Sequence, residues 1–178
     1  MGKIILFIAS TIDGYIANNN DDISWLEQTE GEGDNGFDSM YNRISSIAMG
    51  RKTYDILCNL VGHYPHNDRE SYIFTHSANS NSNTLHFVSG DITTWITQSR
   101  VLEKGDLWLV GGGNLVQQFL EVDLIDELFL TIAPIHLGCG TPLHLPLNNT
   151  LHWRLVNAKQ SGQFAQLEYH RLRSTEHN

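Results

Sequence analysis

Two segments of the 178-residue chain join an apolar run, a glycine break and the start of a helix. That combination suits the binding of an anion. In Leu107-Trp108-Leu109-Val110-Gly111-Gly112-Gly113-Asn114-Leu115 the glycines let backbone N–H groups turn toward a ligand. The helix that follows adds a partial positive charge at its N-terminus. The Rossmann fingerprint is not met, because Val116 stands where its third glycine belongs, and no Gly-Lys-Ser/Thr of a P-loop follows. In Ala48-Met49-Gly50-Arg51-Lys52-Thr53-Tyr54 an apolar run again ends at glycine, and Arg51-Lys52 is the only adjacent basic pair in the chain. Two cations at a helix start oppose the macrodipole, and a bound anion would offset that repulsion. Taken singly, each segment also fits an ordinary strand-to-helix turn. Together they suit a dinucleotide, which carries a pyrophosphate and, in NADP, a 2′-phosphate. A third segment, Ser10-Thr11-Ile12-Asp13-Gly14-Tyr15-Ile16-Ala17, reads by itself as a strand and a turn.

The elements that must position these segments follow from periodicity. Ile4 to Ala9 is a short apolar run, as expected of a strand buried on both faces. Residues 18–36 are rich in Asn, Asp, Glu and Gly around Ile23, Trp25 and Leu26, which predicts a long loop with one helical turn. Phe37, Met40, Tyr41 and Ile44 share one helical face, so a helix is expected over Phe37 to Arg43. Strands are expected over Ser45 to Met49, Ser71 to Thr75, Leu85 to Val88, Leu107 to Val110 and Leu128 to Ala133. Helices are expected over Lys52 to Leu60, over Ile92 to Glu103, and from a cap at Asn114 to Glu121. Residues 77–84 read as a polar low-complexity loop, of which 78–80 lie outside the described residues. Trp153 to Lys159 and Phe164 to Arg171 read as a hairpin around Ser161-Gly162. Alternating strands and helices followed by terminal strands predict an α/β fold with a mostly parallel sheet and an antiparallel edge.

Length predicts a single domain over residues 1–178, since domains commonly run roughly 100–200 residues. With 11 Lys and Arg against 20 Asp and Glu, the net charge is −9. Such a balance argues against a nucleic-acid surface and against an anionic membrane, leaving room for one small anion at a local basic spot. The N-terminal apolar run is too short to span a bilayer and a poor signal-peptide core. Two isolated cysteines, Cys58 and Cys139, fit a reducing compartment, and the expectation is a cytoplasmic protein. His63 and His66 share a loop without a third ligand at a recognisable spacing, so no metal site is expected.

The three glycine-bearing segments, with Leu124-Ile125-Asp126-Glu127-Leu128 through Pro134, Leu137-Gly138, Gly140 and Pro142-Leu143, resemble the dihydrofolate reductase superfamily. The likeness is nearest to its branch holding the RibD C-terminal reductase domain, and spans about residues 4–172. The resemblance implies a three-layer α/β/α dihydrofolate reductase-like fold with a mostly parallel eight-stranded sheet. It implies NADPH as cofactor, hydride transfer to a pyrimidine- or pteridine-type ring, and pairing into a homodimer. Cofactor contacts implied are Ala9 and Ile16 at the nicotinamide, Gly50, Arg51, Lys52 and Thr53 at the phosphates, and Val110, Gly111, Gly112, Gly113, Asn114 and Leu115 at the triple glycine. Thr75, His76 and Ser77 match the adenosine-side segment, with His76 where the family often has a basic residue. Folate enzymes carry a carboxylate sixteen positions before the Gly of the phosphate turn, which here is Asp34, with Asp38 one turn along. The catalytic reading of Asp34 competes with a simple helix-entry acid. The competing function is a non-catalytic nucleotide-binding relative that keeps the cofactor turns.

Overall fold

The computed structural model describes residues 1–77 and 81–173. The chain opens with β1 (Ile4–Thr11) and a short β2 (Tyr15–Ala17), followed by α1 (Ser24–Gln28) and α2 (Phe37–Arg43). Strand β3 (Ile44–Gly50) runs straight into α3 (Arg51–Val61), and β4 (Glu70–Phe74) and β5 (Leu85–Val88) follow. Then come α4 (Ile92–Ser99), a 3-10 turn at Val101–Glu103, β6 (Asp106–Gly111) and α5 (Gly113–Glu121). The chain continues through β7 (Glu127–Ala133), the two-residue β8 (Thr141–Pro142), β9 (His152–Ser161) and β10 (Phe164–Leu172).

Eight strands form one sheet in the order β5-β4-β3-β6-β1-β7-β10-β9. The pairs from β5 to β7 are all parallel, whereas β10 is antiparallel to both β7 and β9. The expected mostly parallel sheet with an antiparallel C-terminal hairpin is therefore present. Strand alternation explains the three layers. Ile4 and Leu6 point into a core with Leu107, Leu109, Val116 and Phe119, while Ile5 points to the other face, with Met40, Ile47, Ile73 and Trp108. Helices α4 and α5 cover the first face, and α2 and α3 the second.

Three local features depart from the sequence expectation. The helix expected from Ile92 to Glu103 breaks at Arg100, which adopts a left-handed backbone (φ 52°). Helix α5 starts two residues early: Gly112 takes the cap position, its carbonyl accepting from Leu115 and Val116, so Asn114 lies inside the first turn. The stretch after β1 is not wholly loop, because β2 pairs antiparallel with β8. Neither short strand has the length that makes a periodic pattern visible.

At the N-terminal ends of the strands, buried Glu127 accepts from Lys3 Nζ at 2.5 Å and from Arg43 Nη2 at 2.9 Å. Asp106 takes a second bond from Arg43 at 3.0 Å. This ionic cluster ties the end of α2 and the residue before β1 to the starts of β6 and β7, at the pole opposite the glycine turns. No described helix is long and apolar enough to cross a membrane.

Candidate active site

The C-terminal ends of β1, β3, β4, β5 and β6 open into one cleft of about 720 Å³. Parallel α/β sheets place ligand sites at this end because helix N-termini and the strand-to-helix loops converge there. At its centre the two anion-ready turns meet. Gly112 N donates to Thr53 Oγ1 at 2.9 Å, tying the triple-glycine turn to the start of α3. Gly111 has φ +131°, which a side chain would strain, and the Gly111–Gly112 peptide is cis. A Cβ on Gly113 would lie 3.2 Å from Pro142 O, so the backbone approaches bare.

The basic pair is held by carboxylates of this chain. Arg51 Nε bonds both oxygens of Asp55 at 2.8 and 3.0 Å. Lys52 Nζ lies 2.6 Å from Asp21 Oδ1. The local repulsion expected at the α3 N-terminus is thus met by Asp21 and Asp55. Both pairs are solvent-accessible, and such pairs contribute only about 0.2–1 kcal/mol each. An incoming phosphate can therefore displace either carboxylate cheaply.

Beyond β1 the cleft becomes an apolar chamber. Phe7, Phe37 and Trp108 meet edge to face, with centroids 6.1 Å apart for Phe7–Phe37 and 5.5 Å for Phe37–Trp108. Trp25, Leu57 and Leu60 complete the wall from α1 and α3. Behind it Tyr41 stacks on Phe37 at 5.3 Å and donates to Asp68 Oδ1 at 2.7 Å. His66 Nδ1 lies 3.2 Å from the Tyr41 hydroxyl, and burial lowers the imidazole's pKa and favours its neutral form. Burial and the Asp68 partner likewise push the Tyr41 phenol up.

The structure gathers most of the residues singled out from sequence. Ala9 and Ile16 line the β1 end of the cleft, and Gly50, Arg51, Lys52 and Thr53 line its centre. Val110, Gly111, Gly112, Gly113, Asn114 and Leu115 line the facing wall, and Thr75 and His76 the β4 end. Ser77 is not part of the lining; its amide turns back onto Thr75 Oγ1 at 3.1 Å. Asp34 also stands outside the cleft, which corrects its placement as the catalytic acid. Its exposed carboxylate accepts from Gly36 N at 3.0 Å and Asp38 N at 2.5 Å, and those amides hold it below the usual carboxylate range. It is the helix-entry acid of α2, the alternative left open by sequence. Asp38 does not line the cleft either.

Among the described residues Asp21 is the one carboxylate in the cleft lining, at the phosphate turn rather than the aromatic end. Sequence reasoning did not assign it, nor the chamber residues Phe7, Phe37 and Trp108. Strand alternation placed Phe7 and Trp108 on one face of the sheet, and this was the signal available for them.

The RibD C-terminal domain family model matches residues 100–167. The uncharacterized protein YwjB of Bacillus subtilis (strain 168) is 36% identical over 168 residues, covering 94% of this chain and 97% of its own. A crystal structure from Shewanella sp. PV-4, described as "Putative riboflavin biosynthesis protein", superposes with a TM-score of 0.87 at 28% identity, covering 96% of this chain and 99% of that one. Dihydrofolate reductase from Enterococcus faecalis, solved with NADP(H), shares the fold with a TM-score of 0.67 at 14% identity, covering 96% and 97%. Family match, full-length relative and superposition agree with the strand order and the paired glycine turns: the chain belongs to the RibD C-terminal domain family and has the dihydrofolate reductase-like fold.

Proposed function

We propose that this protein is an NADPH-dependent reductase that delivers hydride to a planar pyrimidine- or pteridine-type ring. The observation that carries the reading is the junction of the two glycine turns through Thr53 and Gly112, with Arg51 and Lys52 beside it and the aromatic chamber at one end. The fit rests on bare backbone at Gly111 to Gly113 and on two cations paired with solvent-accessible carboxylates. When bound, NADPH would supply a hydride from its reduced nicotinamide ring. Arg51 and Lys52 would hold its phosphates, Thr75 and His76 the adenosine side, and Ala9 and Ile16 the nicotinamide. Phe7, Phe37 and Trp108 would hold the acceptor ring flat and exclude water from its faces. The NADP(H) complex of the Enterococcus faecalis enzyme, which has this fold, supports the choice of cofactor.

The acceptor must also gain a proton. No carboxylate lines the aromatic chamber among the described residues, so on this reading the proton would come from solvent. The same observation favours a second reading, a nucleotide-binding protein without turnover. One experiment separates them. Nicotinamide fluorescence is followed as NADPH is titrated, and NADPH oxidation is then measured with a panel of pyrimidines and pterins. Binding with oxidation supports the reductase, and binding with no oxidation on any ring supports the second reading. Absence of binding at millimolar NADPH overturns both.

The reading includes a cytoplasmic location, for which the two free cysteines are suited. It also includes a homodimer. Leu155 and Val156 lie on edge strand β9 at 53% and 47% exposure, between Arg154 and Lys159. Light scattering should give twice the chain mass for the wild type and the single mass for Leu155→Lys; a monomeric wild type at about 10 μM, a typical working concentration, would refute the pairing.

A further inference from the structure

The turn between β1 and β2 carries a carboxylate that the cofactor contacts do not use. Asp13 Oδ1 accepts from Thr11 Oγ1 at 2.5 Å and from Leu137 N at 3.3 Å, and Oδ2 accepts from Gly138 N at 2.7 Å. Two of those donors lie more than 120 positions away in sequence, in the segment leading to β8. Thr11 Oγ1 in turn accepts from Tyr15 N at 3.1 Å, so the same cluster sets the start of β2. Neighbouring backbone bonds follow the same seam: Ile12 N to Ile135 O at 3.1 Å and Leu143 N to Gly14 O at 2.8 Å. The outcome is the small β2–β8 sheet, with Tyr15 opposite Pro142 and Ala17 opposite Thr141.

This small sheet roofs the cleft. Ile16, Ala17, Thr141 and Pro142 all line it, on the side of β1 where Ala9 lies. The docking is tight, since a Cβ on Gly140 would sit 2.1 Å from Ala17 O. The adenosine and 2′-phosphate end of the cleft is built mainly on β3, α3 and the end of β4, and the β2–β8 unit meets that side only through Pro142 beside Gly113 and the exposed Asp21–Lys52 pair.

We propose that Asp13 is a positioning residue for the nicotinamide half of the cofactor, its carboxylate fixing the β1–β2 turn to Leu137 and Gly138 so that the β2–β8 roof is held over the β1 end of the cleft. This role rests on the NADPH reading given above. Three donors converge on one carboxylate, and hydrogen bonding holds the group down at about 2, so it remains ionised throughout the working pH range. A neutral side chain without acceptors would leave the Leu137 and Gly138 amides to water and free the roof to shift.

The test compares two ligands that share the phosphate end. NADPH has a nicotinamide; adenosine 2′,5′-bisphosphate does not. In Asp13→Ala the Kd for NADPH should rise about tenfold, the scale of one hydrogen bond to a charged group, while that for adenosine 2′,5′-bisphosphate stays within about twofold. Asp13→Asn, which keeps an oxygen able to accept from Gly138, should recover part of the loss. Amide exchange at Gly138 and Leu143 should quicken in Asp13→Ala and that of β3 should not, a readout that separates loosening of the roof from general destabilisation. Equal weakening of both ligands, or of neither, overturns the role and leaves the cofactor reading intact. A wild-type protein that binds neither ligand overturns the cofactor reading, and the role with it.

Discussion

Replacing Arg51 and Lys52 together by alanine is the most direct perturbation of the cofactor site, and its size can be worked from the geometry. A hydrogen bond from a cation to a phosphate contributes about 1.5–3 kcal/mol net. Each cation must first leave a carboxylate: Arg51 leaves Asp55 at 2.8 Å and Lys52 leaves Asp21 at 2.6 Å. Exposed pairs of this kind are worth about 0.5 kcal/mol, so the net gain per cation is about 1–2.5 kcal/mol. At 1.4 kcal/mol per tenfold this is a loss of roughly 5- to 60-fold in affinity per cation. NADH lacks the 2′-phosphate, so the double variant should weaken NADPH at least about tenfold more than NADH. Fluorescence titration of both cofactors at fixed ionic strength near 0.1 M measures this, with salt held constant because surface charge is screened over about 10 Å. Equal losses for NADPH and NADH would refute the placement of the 2′-phosphate at Arg51-Lys52.

Other outcomes follow from named contacts. Asp34→Asn should leave turnover unchanged and lower the melting temperature slightly, because the carboxylate serves Gly36 and Asp38 rather than the cleft; a large drop in kcat at constant NADPH affinity would return it to the chemistry. Glu127→Ala removes the shared partner of Lys3 and Arg43, and because both cations can reach water the cost should be about 2 kcal/mol, a fall of roughly 4–8 °C in Tm by calorimetry. Asp21→Asn releases Lys52 and should tighten NADPH by about twofold in the same titration, given the small worth of the exposed pair. In acid, Asp13 binds its proton at about 2 when folded and near 3.8 ordinarily. The unfolded chain therefore takes up more protons between these values, and the stability that Asp13 contributes, fully present above pH 4, is lost as pH falls toward 2. Urea unfolding over that range should show a shallower loss in Asp13→Asn than in wild type.

The elements carrying the cleft were legible because their signals are local. Apolar runs ending at Gly50 and Gly111, and helical spacing from Phe37 to Ile44, are properties of a few adjacent residues. The break at Arg100 was not legible, since the apolar pattern continues through Val101 and Leu102 and only the backbone turns. The carboxylates show the limit most clearly. Counting back from Gly50 placed Asp34 by distance along the chain, but a carboxylate bonds whatever amide is nearest in space, and Asp34 has two at the entry of α2. Neither Asp21 nor Asp13 was assigned a partner from sequence, and folding gave one Lys52 and the other Leu137 and Gly138.

By itself the sequence determined which residues make strands, which glycines leave backbone bare, and that one basic pair stands at a helix start within an acidic chain. Those features depend on backbone propensity and on side-chain type, both carried by each residue and its close neighbours. Only the tertiary structure decided that β6 lies between β1 and β3, which brings Gly112 to Thr53, seats the aromatic chamber beside Ala9, and lays β8 over Ile16. Strand order is set by how the apolar faces of distant segments pack together, and no window of adjacent residues contains that information.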